Sequence, residues 1–201
     1  MTEIERRNAG LLYNVYETGD PSWHEARKLL PKINACGLPE EARPMLESLL
    51  GRYPKSSSIT LPFYCDLGHG IELGEHVGIN MDCLFLDEAK IILKDRVKIG
   101  PRCSFYTPIH PMDPEIRATG LEKAAPITIE EDVWLCGSVT VNGGVTIGKG
   151  SVIGSGSVVV HDIEPGVFAA GNPCQVIRKI SEADKAACQA EYEAYQQAMK
   201  R

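Results

Sequence analysis

Between Ile127 and Ile163, branched aliphatic residues return at every sixth position: Ile129, Leu135, Val141, Ile147, Ile153 and Val159. A second series runs two residues out of step through Ile127, Val133, Val139 and Val145, then reaches Ser151 and Ser157. This period fits neither the roughly 3.6 of an α-helix nor the roughly 2 of a strand, so the six-residue unit is itself the structural module. Each unit supplies a short strand with a branched side chain turned inward, and Gly148 and Gly154 let the backbone take a tight corner. Three such sides close a coil. Stacked coils pair in parallel and bury a continuous aliphatic column, so no coil is stable without its neighbours. The pattern predicts a parallel β-helix. A meander of hairpins needs a chain reversal every roughly 8 to 12 residues, for which this spacing leaves no room.

Upstream the spacing is less regular. Leu73, Ile79 and Phe85 are six apart, and Leu93, Ile99 and Phe105 resume the period after an eight-residue step. The two extra residues, near Asp87 to Lys90, are expected to bulge from the coil. Residues 106–125 carry three prolines and one glycine and form an extruded loop, the kind of segment on which function tends to sit. The first 50 residues are charged, with apolar residues at helical spacing in WHEARKLLPKI and EEARPMLESLLG, and predict two or three short helices. Asp20-Pro21-Ser22 offers a capping start, Pro31 is expected to end or kink the first long helix, and Gly51 to cap the next. The stretch SEADKAACQAEYEAYQQAMKR predicts a last helix with Ser181 as N-cap and a basic end. The chain thus divides into an N-terminal helical cap (1–55), a β-helix (56–180) and a C-terminal helix (181–201).

Composition narrows the function classes. With 201 residues and 43% hydrophobic content, the chain suits one globular domain with an appendage. No run of 18 apolar residues occurs, and MTEIERRNAG lacks an apolar core, so neither a membrane span nor a secretory signal is expected and the location expected is cytoplasmic. The net charge of −6 argues against a nucleic-acid partner. The seven cysteines are scattered without a C-x-x-C pair and read as reduced core residues, not a disulfide or zinc framework. His69 and His76 lie seven apart, which is not the histidine spacing of the zinc-dependent β-helix carbonic anhydrases, so no metal is expected.

Within the extruded loop, TPIHPMDPEIR sets His110 beside prolines that stiffen the backbone and fix where the imidazole points. Histidine titrates near neutral pH, so it can take a proton from a hydroxyl and return it to a leaving group.

Taken together, the segments GLLY, FYCDLG, INMD, IHP, PITI with the following VW, and AAGNPCQVIR resemble the maltose and galactoside O-acetyltransferases, a family of hexapeptide-repeat acyltransferases. The resemblance covers nearly the whole chain. It implies a left-handed β-helix, a homotrimer, and active sites between adjacent subunits where acetyl-CoA lies in a groove beside the coils. It implies His110 as the general base that deprotonates the acceptor hydroxyl. Asp66 and Asn80 match positions lining the acceptor site, and Glu88 falls where the family commonly has Asp. Trp134 matches a tryptophan beside the acyl site, and Gly137 a position whose N–H approaches the thioester oxygen. Ser155, Val160 and His161 match contacts to pantetheine and the phosphate end, and Arg178 a basic residue near the nucleotide. Three departures stand out. Asn14 and Val15 follow Tyr13 where an acceptor-binding Asp is frequent, Gln175 replaces a basic residue, and Cys136 replaces a Gly and reads as an inert thiol. The expected activity is acetyl transfer from acetyl-CoA to a sugar hydroxyl by direct attack in a ternary complex. Another hydroxyl or an amine is the alternative acceptor, and a non-catalytic scaffold the alternative role.

Overall fold

The computed structural model describes residues 1 to 200. Its centre is a left-handed parallel β-helix of about six turns with three walls. The first wall stacks Ile71–Leu73, Ile91–Leu93, Ile127–Ile129 and Thr146–Ile147. The second stacks Ser58–Ile59, Gly78–Ile79, Lys98–Ile99, Trp134–Leu135, Val152–Ile153 and Val167–Gly171, and the antiparallel strand Cys174–Lys179 closes it. The third stacks Phe63–Cys65, Cys83–Leu86, Ser104–Tyr106, Thr140–Asn142 and Val158–Val159.

The six-residue series is the core column. Leu73, Leu93, Ile129 and Ile147 are in register on the first wall. Ile59, Ile79, Ile99, Leu135, Ile153 and Ala169 are in register on the second. Cys65, Phe85, Phe105, Val141 and Val159 are in register on the third. None of these side chains is more than 3% exposed. The second series points inward as well, and where its aliphatics give out the buried serines are fully bonded. Ser151 Oγ donates to the Glu164 carbonyl at 2.8 Å and accepts from Val167 N–H at 3.2 Å. A buried hydroxyl without such partners would be costly.

Two of the three corners do not vary. Between the first and second walls every coil after the first turns through a left-handed residue: His76, Arg96, Asp132, Gly150 or Gly166, at φ of 60° to 69°. Between the second and third walls Asp82, Arg102, Ser138 and Gly156 do the same, and the inward residues stay six apart throughout. Only the corner from the third wall to the first changes length. It spans eight residues from Cys65 to Leu73 and from Phe85 to Leu93, 24 from Phe105 to Ile129, and six from Val141 to Ile147. The widened step at Asp87 to Lys90 therefore has a twin one coil earlier. It does not bulge freely into solvent either, because buried Asp87 turns inward and accepts from the N–H groups of Leu67 at 2.8 Å and Gly70 at 3.0 Å, tying the two wide corners together.

The cap comprises α1 (Glu3–Asn8), α2 (Ser22–Asn34) and α3 (Pro39–Leu49). Ala26, Leu30 and Ile33 of α2 and Ala42, Leu46 and Leu49 of α3 join the β-helix core. The Asn34 side-chain amide accepts from Phe63 N–H and donates to its carbonyl, both at 2.9 Å, so it satisfies the sheet edge as a further strand would. Pro31 does not end α2, which runs on to Asn34. A proline removes one hydrogen bond, and burial of Leu30 and Ile33 on either side holds the last turn in place. Gly51 is not the cap of α3: the helix ends at Leu49, with Leu50 already extended. Gly51 is there because a Cβ would come within 2.4 Å of the His69 carbonyl oxygen.

The extruded loop is a built structure. Its strands Pro108–Ile109 and Leu121–Ala124 pair antiparallel, α4 (Pro114–Arg117) lies between them, and Leu121 and Glu122 pair in turn with Asn14 and Tyr13. The last helix, α5 (Glu182–Met199), begins with a capping box between Ser181 and Asp184 and buries none of its residues. Its Cys188 is exposed, so the core reading of the cysteines fails there, because α5 packs on nothing. It holds for Cys65, Cys83, Cys103 and Cys174, while Cys36 and Cys136 are partly buried. No helix among the described residues is long and apolar enough to cross a membrane.

Phe85 stacks between Phe63 and Phe105 with ring centroids at 5.3 Å and 4.5 Å. Replacing it with Ala opens a cavity in the column that the parallel register cannot close. Phe85→Ala should lower the unfolding free energy by about 3–5 kcal/mol in a urea titration followed by circular dichroism.

Candidate functional site

His110 follows the first strand of the loop, and its side chain is 59% exposed. The loop that carries it is braced from inside. Asp113 caps α4 by accepting from the N–H groups of Glu115 at 3.0 Å and Ile116 at 2.9 Å. Arg117 donates to the carbonyls of Pro111 at 3.0 Å and Met112 at 3.1 Å, the two residues that follow the histidine. Behind the imidazole lies a buried carboxylate: Glu122 Oε2 is 3.7 Å from His110 Nε2, too long for a direct hydrogen bond but close enough to feel a charge on the ring. The Tyr13 hydroxyl donates to the other oxygen of Glu122. Burial, and then the Glu122 carboxylate, push the Tyr13 phenol well above its ordinary range, so it stays a donor. Sequence reasoning missed this Tyr13–Glu122–His110 chain. Tyr13 and Glu122 are 109 residues apart in the sequence, and only the antiparallel pairing joins them.

Asp66 and Glu88 lie at the same variable corner as the His110 loop. Arg27 donates to Asp66 Oδ1 at 2.5 Å and to the Cys65 carbonyl at 3.2 Å. Glu88 borders two clefts, of about 610 Å³ and 750 Å³, that meet at Arg7. Burial, reinforced by the Asp66 carboxylate, pushes the Glu88 pKa up to about 9, so this side chain is a neutral acid at pH 7.

The remaining expected residues fall elsewhere. Asn80, Gly137 and Ser155 lie on the invariant corner between the second and third walls, and Trp134 is 51% exposed on the second wall beside Asn80. Asn80 Oδ1 accepts from Met81 N–H at 2.8 Å. Val160 and His161 lie on the opposite edge of the third wall, the edge that carries His110. Arg178 is engaged: it donates to both carboxylate oxygens of Asp184, at 2.7 Å and 2.9 Å. Cys136 suits the inert reading, because burial pushes its thiol up. The chain thus brings Asp66, Glu88, His110, Val160 and His161 to one edge of the third wall and Asn80, Gly137, Ser155 and Trp134 to the other. Among the described residues no three of His, Cys, Asp and Glu converge as metal ligands would.

A β-helix of six-residue units with such a loop defines the class of hexapeptide-repeat transferases, and residues 126–161 match the family model for the bacterial transferase hexapeptide (six repeats). A candidate acetyltransferase of Saccharomyces cerevisiae, YJL218W, is 48% identical over 140 residues, covering 70% of this chain and 71% of the yeast protein. The structure is similar to that of a galactoside acetyltransferase in complex with coenzyme A, with a TM-score of 0.88, 33% identity, and coverage of 92% of this chain and 94% of that one. It is also similar to the hexapeptide-repeat acetyltransferase VCA0836 of Vibrio cholerae O1 biovar eltor in complex with acetyl coenzyme A, with a TM-score of 0.83, 34% identity, and coverage of 90% and 100%. The chain belongs to the hexapeptide-repeat acetyltransferase family. Its co-substrate is acetyl-CoA.

The state of Glu88 has a measurable consequence. Its folded pKa of about 9 lies above the ordinary 4.5, so the folded chain holds a proton that the unfolded chain releases. The resulting stability is fully present below about pH 4.5 and is lost as pH rises through 9. Glu88→Gln is neutral at every pH. Thermal melts from pH 5 to 9 should show a Tm that falls less steeply in the variant than in the parent, with the variant the more stable at the alkaline end; parallel curves would contradict the assignment.

Proposed function

We propose that the protein transfers the acetyl group of acetyl-CoA to a hydroxyl of a sugar, with His110 as general base. The His110 imidazole takes the hydroxyl proton as the oxygen attacks the thioester carbonyl. The backbone N–H of Gly137 stabilises the oxyanion of the tetrahedral intermediate. The carbon–sulfur bond then breaks, and the CoA thiolate takes the proton back from the imidazolium. The observation that carries this reading is the buried Glu122 beside His110: its carboxyl group, fixed by Tyr13, faces Nε2 at 3.7 Å, an acid next to the imidazole that exchanges the proton. A sugar acceptor suits the polar side chains Asp66, Asn80 and Glu88, which can bond hydroxyls, and the galactoside acetyltransferase among the similar structures. Use of acetyl-CoA is in keeping with a cytoplasmic location.

The division of the site residues between two edges of one wall favours a homotrimer with the active site between subunits. In such an assembly the His110 edge of one chain faces the Gly137 edge of the next, and acetyl-CoA lies between them against Trp134, Ser155, Val160 and His161. Arg178 takes part in nucleotide binding only by leaving Asp184.

His110→Ala should reduce thiol release from acetyl-CoA in the presence of a sugar acceptor by about 10²–10⁴-fold, with the dissociation constant for CoA and the oligomeric state unchanged. Retained activity would overturn the assignment. Glu122→Gln, which keeps the shape and removes the charge, should lower kcat with little effect on the KM for acetyl-CoA.

A further inference from the structure

Two buried side-chain polar atoms among the described residues have no hydrogen-bond partner: Nε of Arg7 and Oε2 of Glu88. They belong to one place, because Arg7 and Glu88 both line both clefts. Arg7 is 5% exposed, yet only one arm of its guanidinium is used, donating to Asp20 Oδ2 at 2.8 Å. The Asp20 side chain is 8% exposed and is fixed by Ser22 N–H, which donates to its other oxygen at 2.9 Å. The ion pair therefore holds the guanidinium rigidly and leaves the Nε–H idle. Protein interiors seldom leave buried donors unmade, so an idle one in a cleft wall marks a place for a ligand atom.

The cleft of about 750 Å³ has the size of a small-molecule site. Tyr13 is part of its lining, so the cleft adjoins the Tyr13–Glu122–His110 chain. Tyr16 and Trp23, both exposed, give it an aromatic wall that can cover the apolar face of a ring. The charge balance selects against an anion. Arg7 is already neutralised by Asp20 and Arg27 by Asp66, and the carboxyl groups of Asp87 and Glu122 lie on neighbouring parts of the same corner.

We propose that Arg7 determines acceptor specificity: its Nε–H donates a hydrogen bond to a non-reacting hydroxyl of a neutral polyhydroxylated acceptor seated in the 750 Å³ cleft, and the free Glu88 oxygen engages the adjacent hydroxyl. This rests on the sugar-acceptor reading above. A vicinal diol matches the pair, because each hydroxyl can donate and accept, and at neutral pH the Glu88 carboxyl can do the same. Arg7 takes no part in the proton transfers.

The test is steady-state thiol release by the full-length protein, with a sugar acceptor and a set of deoxy analogues each lacking one non-reacting hydroxyl. Arg7→Lys keeps a charge for Asp20 but places no planar Nε–H in the wall. It should raise the acceptor KM by about tenfold or more while the KM for acetyl-CoA and the Tm stay as in the parent. The analogue lacking the contacted hydroxyl should be a poor substrate for the parent and no worse than the full sugar for the variant, the signature of a shared contact. Glu88→Gln should change discrimination at the neighbouring hydroxyl, and it supplies the measurement if Arg7→Lys does not fold. Discrimination among the analogues that is the same in parent and variants would overturn the role of Arg7 and leave the sugar reading standing. A parent that transfers to no sugar would overturn both. A deoxy penalty lost only for a negatively charged acceptor would contradict the neutral-ligand assignment.

Discussion

The structure depends on the parallel register of its coils. Each inward side chain sits directly over its counterpart in the next coil, so a length change anywhere in a coil must be absorbed before the next strand begins. Two corners cannot absorb one, because each turns through a single left-handed residue, and at Arg96, Asp132, Asp82 and Arg102 the chain accepts that conformation without glycine. A non-glycine residue there is disfavoured by roughly 1–2 kcal/mol. The stacked register around it makes up the difference. All the freedom in length is left to the third corner, and there the chain places its eight-residue steps, Asp87, Glu88 and the loop of His110.

From this follows the arrangement of the chemistry. The variable corner carries the histidine, the carboxyl groups and the docking of the N-terminal cap, while the invariant corner across the third wall carries Gly137, Ser155 and Asn80 in a fixed stack. The cap is not an accessory. Its short strand at Tyr13 and Asn14 completes the small sheet of the loop, Tyr13 orients the buried carboxylate behind His110, and Arg7 forms a wall shared by both clefts.

The β-helix was legible in the sequence because its signal is local: a six-residue spacing is visible without knowing what touches what. The same holds for the Ser181 cap and for the loop, which the prolines exclude from the coil. What escaped depends on distant contacts. Pro31 inside α2 and Gly51 after α3 follow local rules only in isolation; burial of Leu30 and Ile33 overrides the first, and the approach of the His69 carbonyl explains the second. The inward turn of Asp87 needed knowledge that Leu67 and Gly70 stack beneath it. Glu122 and Arg7 were invisible as site residues because nothing in their neighbourhood in sequence distinguishes them from solvated charges. Only the pairing of Tyr13 with Glu122, and the burial of Arg7 against Asp20, give them a place.

The central claim is that one chain holds two halves of different sites, and that the proposed site is completed by the next chain. Complementation tests it most directly. An added Cβ at Gly137 would meet nothing beyond its chain neighbours closer than 3.5 Å, so Gly137→Val should fold and yet block the groove. Assemblies of His110→Ala chains alone, or of Gly137→Val chains alone, should release little thiol from acetyl-CoA. In co-assembled mixtures the interfaces that pair an intact His110 edge with an intact Gly137 edge should restore a substantial fraction of the parent activity. Mixed assemblies that form but stay as inactive as their components would place both halves of the site in a single chain and contradict the account.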